Sequence, residues 1–190
     1  MGKRIILVAG CTAAGKTTFS TKLSAAASVP CFNKDLVKAV LGQHVKIHSR
    51  TESKQFSKAT FYLLKHIAEQ FMKAGFPIIL ESNFNTTEAK ELSAYITQYA
   101  YEPLTYVFHG DLRTMHRRFV ERENSCERDC ANRMFGLWDE FEAFQSDIQA
   151  ACLTDFDVGG IRIPVDTTCF ERVDFCALVR KGVAFLEGQE

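Results

Sequence analysis

The segment Gly10-Cys11-Thr12-Ala13-Ala14-Gly15-Lys16-Thr17 fills the pattern G-x-x-x-x-G-K-[ST] at every position. Its glycines let the backbone curl until successive N–H groups converge on one centre and form a nest for an anion. A helix opening near Lys16 adds the positive end of its dipole. Lys16 is expected to reach the β- and γ-phosphates of a nucleotide. The Thr17 hydroxyl is a hard oxygen ligand of the kind magnesium accepts. Gly10, Thr12, Ala13, Ala14, Gly15 and Thr18 are expected to complete the cradle. Cys11 reads as a small filler within the loop.

Further along lie other groups with chemical potential. Asp35 follows a short apolar stretch, at the kind of strand end where open α/β sheets put their sites. There it either orients a hydroxyl and takes its proton or serves the first turn of a helix. Glu81 closes the run Pro77 to Leu80, with Ser82 and Asn83 behind it. A carboxylate after such a run suits a metal-bound water or a substrate hydroxyl, and Asn83 suits a substrate or phosphate contact; both residues could instead tie down their loop. Arg118 and Arg122 are one helical turn apart and share a face. Arg113, Arg117, Arg128 and Arg133 crowd the same region. Asp166, Thr167 and Thr168 follow the last strand and either face a ligand or cap the closing helix. Asp111 is a further acid beyond a strand end. His109 and His116 read as structural.

The elements that must hold these groups follow from apolar spacing. Ile-Ile-Leu-Val before Ala9 does not alternate, which suits a strand buried on both faces of a parallel sheet. Phe19, Leu23 and Ala26 recur at helical spacing after the loop. Val29 to Phe32 reads as a short strand, and a helix is expected from near Asp35. Gln43 to Ser53 is polar and reads as a loop. Phe61, Leu64, Ile67 and Phe71 make a helix face that Gly75 ends. Strands are expected at Pro77 to Leu80, Leu104 to Phe108 and Ile161 to Val165. Helices are expected through Ala89, Leu92, Ile96 and Tyr99, after Asp111, through Leu137, Phe141, Phe144 and Ile148, and through Phe175, Val179, Val183 and Leu186. Strands that alternate with helices mean a parallel sheet covered on both faces.

The chain has 190 residues, enough for one α/β domain, and balances 23 basic against 23 acidic side chains. That balance disfavours long nucleic acid or an anionic membrane as the partner. No apolar run approaches the roughly 20 residues that span a bilayer. The seven cysteines are scattered, and without an export signal they read as reduced thiols in a cytoplasm. Cys126 and Cys130 have half the spacing of a metal site but no second pair.

In order and spacing, Gly10 to Thr17, Asp35, Ile78 to Phe84, Arg118-Phe119-Val120-Glu121-Arg122 and Val165-Asp166-Thr167-Thr168 resemble one branch of the P-loop kinases. It is the branch of the zeta toxins, polynucleotide kinases and chloramphenicol phosphotransferases, with bacterial "AAA domain" kinases of unassigned substrate. The resemblance spans nearly the whole chain. It implies a three-layer P-loop fold with a five-stranded parallel sheet and a mobile lid, here about residues 111–136 of a single domain over 1–190. It implies ATP with magnesium and transfer of the γ-phosphate to a hydroxyl. Asp35 takes the catalytic acidic position. Arg118 and Arg122 divide adenine stacking and phosphate contact between them, and Asp166 and Thr167 lie beside the base. Several relatives carry a histidine after the Glu-Arg of the lid, where this chain has Glu127-Arg128-Asp129-Cys130.

The expected catalytic set is therefore Lys16, Asp35, Glu81, Arg118 and Arg122. Asp35, Glu81 and Asn83 face the acceptor, and Thr17 serves the metal. The leading reading is a kinase of a small-molecule or nucleoside-like hydroxyl. A 5′-hydroxyl polynucleotide kinase and a nucleotide-dependent switch or assembly ATPase are the alternatives, the first lacking a basic groove and the second lacking an added helical domain. Oligomeric state is not legible.

Overall fold

The alternating faces of the central strand explain its unbroken apolar run. In the computed structural model, which describes residues 2–125, 132, 139–151 and 155–189, strand β1 spans Arg4–Gly10. Ile5, Leu7 and Ala9 face one helical layer, and Ile6 and Val8 face the other. All five are fully buried. Polar residues on either face would be left without water, so the alternation of a half-exposed strand is absent.

Four more strands join it, all parallel: β2 (Cys31–Asn33), β3 (Ile78–Glu81), β4 (Glu102–His109) and β5 (Ile161–Asp166). Their order is β2-β3-β1-β4-β5. Register sets Asn33 and Val8 opposite Glu81, Gly10 opposite Phe108, and His109 opposite Asp166. The carboxyl ends of all five strands thus share one edge of the sheet, where ligands bind in open α/β folds.

Helices α1 (Lys16–Ala27), α5 (Leu112–Glu123), α6 (Phe141–Ala150) and α7 (Phe175–Glu187) cover one face through Phe19, Leu23, Met115, Phe119, Phe144 and Leu186. Phe19 packs its ring against Tyr106 and Phe108, at centroid distances of 4.6 and 5.4 Å, and so anchors α1 to β4. Helices α2 (Lys34–Gly42), α3 (Arg50–Ala74) and α4 (Thr86–Gln98) lie on the other side, where Val37, Phe61, Leu64, Leu92 and Ile96 pack on β1 and β3.

Two boundaries differ from expectation. Strand β2 begins at Cys31, because Pro30 has no N–H to give the ladder, although its carbonyl accepts Ile79 N at 3.1 Å. The polar stretch from Gln43 is shorter than its composition suggests. Ser49 caps α3 by accepting Glu52 N, and the Glu52 carboxylate accepts His48 N. Of residues 126–138 only Asn132 is among the described ones, so that part of the expected lid, with Arg128 and Arg133, and the expected helix position Leu137 lie outside them. Among the described residues no helix is long and apolar enough to cross a membrane.

Candidate active site

The phosphate loop leaves β1 through a position that only glycine fits. Gly10 has φ +116°, and a Cβ there would stand 2.0 Å from the Phe108 carbonyl oxygen. The next amide, Cys11 N, donates to that same oxygen at 2.9 Å and pins the loop to β4. Gly15, at φ +82°, is the residue before α1 and has no side-chain cap to offer. Helices α2, α3, α4, α5 and α7 each receive a side-chain cap, from Asn33, Ser49, Asn85, Asp111 and Asp174. Helix α6 also lacks one. In α1 the uncapped first-turn amides open onto a cleft with Lys16 beside them. That donor set suits a phosphate chain.

Lys16 is buried, and its ammonium donates to Cys11 O at 2.6 Å. Burial pulls its pKa below the ordinary lysine value, while the nearby carboxyl groups of Glu81 and Asp35 act against that shift. The Cys11 thiol is pushed up by its own burial and stays neutral as a filler.

Beside the lysine is a carboxylate held by two hydroxyls. Glu81 accepts Thr17 Oγ1 at 2.7 Å on one oxygen and Ser20 Oγ on the other. The two hydroxyls come from one face of α1, three residues apart. Asn33 is buried and bonds twice: its Nδ2 donates to Thr17 Oγ1 at 3.2 Å, and its Oδ1 accepts Leu36 N at 3.0 Å. The Thr17 hydroxyl therefore gives its proton to Glu81 and receives one from Asn33. Two hard oxygens, Thr17 Oγ1 and a Glu81 carboxylate oxygen, stand in direct contact, and this pair fits a magnesium shell built mostly of water and phosphate oxygens.

Asp35 sits in the first turn of α2, exposed to the cleft, and its main-chain carbonyl accepts Asn132 Nδ2 at 2.7 Å. Asn83 lines the same cleft, whose volume is about 630 Å³. On the far side Arg122 donates to Thr12 Oγ1 at 3.1 Å and so bridges α5 to the phosphate loop. Arg118 donates to the carbonyls of Thr167 and Thr168 at 2.7 and 3.3 Å, and its guanidinium lies 5.5 Å from the centre of the Phe170 ring.

Most of the expected residues thus meet in one place. Thr12, Ala13, Ala14, Gly15, Lys16, Thr17 and Thr18 line the cleft with Asp35, Glu81, Asn83, Arg118 and Arg122. Gly10 shapes the loop from behind. Asp166 and Thr167 do not line the cleft. The Asp166 carboxylate accepts Thr168 N and Oγ1, and these bonds hold it below the usual carboxylate range. Thr167 is fully buried, with its hydroxyl donated to His109 O and its carbonyl accepting from Arg118. Asp111 caps α5 through Thr114 N and Oγ1. His116 packs between Phe141 and Phe144.

Three contributors escaped the sequence reading. Asn33 carried a signal, since an asparagine between a strand and a helix is a ready N-cap. Ser20 carried a weaker one, its spacing from Thr17 on α1. Phe170, in a short 3-10 turn at Phe170–Arg172, carried none. It lines the cleft because it folds against Gly15, where a Cβ would come within 2.4 Å of its ring.

A phosphate loop on the central strand of a parallel sheet ordered β2-β3-β1-β4-β5, with the acidic strand β3 beside it, defines a P-loop protein of the kinase type of fold. The chain belongs to the AAA domain family, whose model matches residues 5–139. The structure is similar to one from Chloroflexus aurantiacus described as a "putative kinase", with a TM-score of 0.84, 23% identity and 100% of each chain covered. It is also similar to a gluconokinase from Sinorhizobium meliloti (TM-score 0.59, 13% identity, 98% of this chain and 93% of that one covered). A tunicamycin resistance protein from Deinococcus radiodurans is comparable (TM-score 0.59, 10% identity, 98% and 97% covered). At these identities the likeness is one of fold. Among curated proteins none matches the chain.

Proposed function

We propose that this protein is an ATP- and magnesium-dependent phosphotransferase that moves the γ-phosphate to a hydroxyl of a small-molecule acceptor. The observation that carries this reading is the pairing of an uncapped phosphate loop with two carboxylates, Asp35 and Glu81, that line the same cleft. The names of its structural neighbours, a gluconokinase among them, agree with it. Magnesium, when bound, would supply charge neutralisation at the phosphates. Thr17 and Glu81, whose oxygens already meet at 2.7 Å, are the residues that would hold that ion. Lys16 exchanges the Cys11 carbonyl for the β- and γ-phosphates. Arg122 faces the phosphates from α5, and Arg118 with Phe170 offers a flat cationic and aromatic surface to the base.

Asp35 orients the acceptor hydroxyl and takes its proton as the oxygen lone pair bonds to the γ-phosphorus and the bond to ADP breaks. The work of α5 and the loops is to keep water out of that line.

The test is acceptor-dependent ADP release across a set of hydroxyl compounds, with the water-driven rate subtracted. Asp35→Asn is expected to lower transfer by about 100-fold or more while ATP affinity stays within about two-fold. Near-normal transfer by that variant would remove Asp35 from the mechanism. ATP binding that survives Lys16→Ala unchanged would remove the reading as a whole.

A further inference from the structure

Behind the phosphate loop a carboxylate is closed between α1 and the sheet. Glu81 follows Ile79 by two positions on β3, so its side chain turns to the same face of the sheet, the one α1 covers. Thr17 and Ser20 are three residues apart and share one face of α1. Each hydroxyl donates to a different oxygen of that carboxylate, Thr17 to Oε1 at 2.7 Å and Ser20 to Oε2. Ser20 and Glu81 are 1% and 3% exposed. In water a glutamate carboxylate turns freely about its last bond. Here two donors on one helix fix its plane.

The two hydroxyls differ in depth. Thr17 is exposed and lines the cleft. Ser20 is buried and lies about 4.5 Å further along the axis of α1. One oxygen of Glu81 is thus tied beside the cleft and the other is tied behind it. Turning both oxygens to the cleft would swing Oε2 away from Ser20. The Ser20 hydroxyl would keep only its longer contact, to Thr17 O at 3.3 Å. Losing a charge-assisted bond at a buried donor is costly.

We propose that Ser20 is a positioning residue that sets which cation the site accepts: by keeping one oxygen of Glu81 on α1, it leaves a single oxygen for a metal and so favours magnesium over calcium. This rests on the phosphotransferase reading, which assigns the ion to Thr17 and Glu81. The two ions ask for different things. Magnesium takes six ligands in a strict octahedron, keeps several waters, and is satisfied by one oxygen from a carboxylate. Calcium takes six to eight oxygens and commonly uses both from one carboxylate. The Ser20 bond is compatible with the first demand and opposes the second. Ser20 does this through Glu81, without a place of its own in the cleft.

The test is calorimetry of a non-hydrolysable ATP analogue on the whole protein, with either magnesium or calcium at saturation. The readout is the ratio of the two dissociation constants. Wild-type protein is expected to bind the magnesium complex about ten-fold more tightly than the calcium complex. In Ser20→Ala that preference is expected to shrink by about five-fold. Alanine suits a helix interior, so α1 itself is kept. Glu81→Gln has one carbonyl oxygen to offer whatever Ser20 does. Adding Ser20→Ala to it should leave the ratio where Glu81→Gln alone puts it. A hydroxyl that served only the fold would lower the denaturation midpoint and leave the ratio untouched, and that result overturns the proposal. A further change of ratio in the double variant also overturns it. The wild-type ratio needs no variant, and a value near one is decisive against Ser20 on its own. If wild-type protein binds the analogue with neither ion, the phosphotransferase reading itself fails, and the proposal with it.

Discussion

At Lys16 the protein keeps an ammonium out of water before any anion arrives. Burial lowers the lysine pKa from its ordinary 10.5, and only partly is this offset by Glu81 and Asp35. A triphosphate in the loop favours the charged form and raises the pKa again. Between the two values, binding takes up a proton. ATP affinity is therefore expected to hold on the acid side and to fall as pH rises through the lowered lysine value. Calorimetry in buffers of different ionisation enthalpy reads the proton uptake directly. Affinity that is flat through the alkaline range to pH 10.5 would contradict it. The loop that holds Lys16 was legible because its chemistry lies in one short run of sequence. Ser20 and Asn33 were not, because their meaning depends on pairing: the register that sets Asn33 across from Glu81 belongs to the sheet. A second residue-scale test concerns Gly10. Gly10→Ala forces a Cβ onto the Phe108 carbonyl at a positive φ, and is expected to cost about 3 kcal/mol or more in chemical denaturation.

Helix α2 depends on Asn33 for two things at once. The Oδ1 atom caps the helix, and the Nδ2 atom holds the Thr17 hydroxyl from the side opposite Glu81. Two substitutions separate these roles. Asn33→Ala loses both, and is expected to cost about 1 kcal/mol of stability with a fall in kcat. Asn33→Asp keeps a capping oxygen, so stability should return toward wild type. It cannot donate to Thr17 and sets a second carboxylate near Glu81, so kcat should stay low. Recovery of kcat along with stability in Asn33→Asp would reduce Asn33 to a cap. Elements of this kind were read well where many apolar residues agreed, as in α3 and α4. The beginning of α3 was hidden because a capping serine and glutamate look, by composition, like more loop.

Across the molecule, two arginines of α5 tie together segments far apart in the chain. Arg122 reaches the phosphate loop after β1, and Arg118 reaches the turn after β5. Hydrogen exchange with and without a non-hydrolysable ATP analogue should therefore gain protection in residues 10–18 and 112–125 together. Protection confined to the phosphate loop would strike Arg118 and Arg122 from the site. The sheet as a whole was legible in kind, parallel and covered on both faces, because β1, β3 and β4 each carry runs that only double burial explains. Its strand order was not legible, since no local spacing says that β1 lies between β3 and β4.

That order also divides the polypeptide. With β1 in the middle, β2 and β3 stand to one side and β4 and β5 to the other. The acceptor wall comes almost wholly from residues between Asn33 and Asn83, and the nucleotide wall from the phosphate loop and residues from Arg118 onward; Asn132 crosses between them to bond Asp35. On the phosphotransferase reading, the stretch between the phosphate loop and β4 would then govern what is phosphorylated. Such an arrangement is modular. Transplanting the stretch from β2 to the start of α4 out of a relative with a known acceptor should carry that acceptor preference with it and leave the recipient's nucleotide affinity behind.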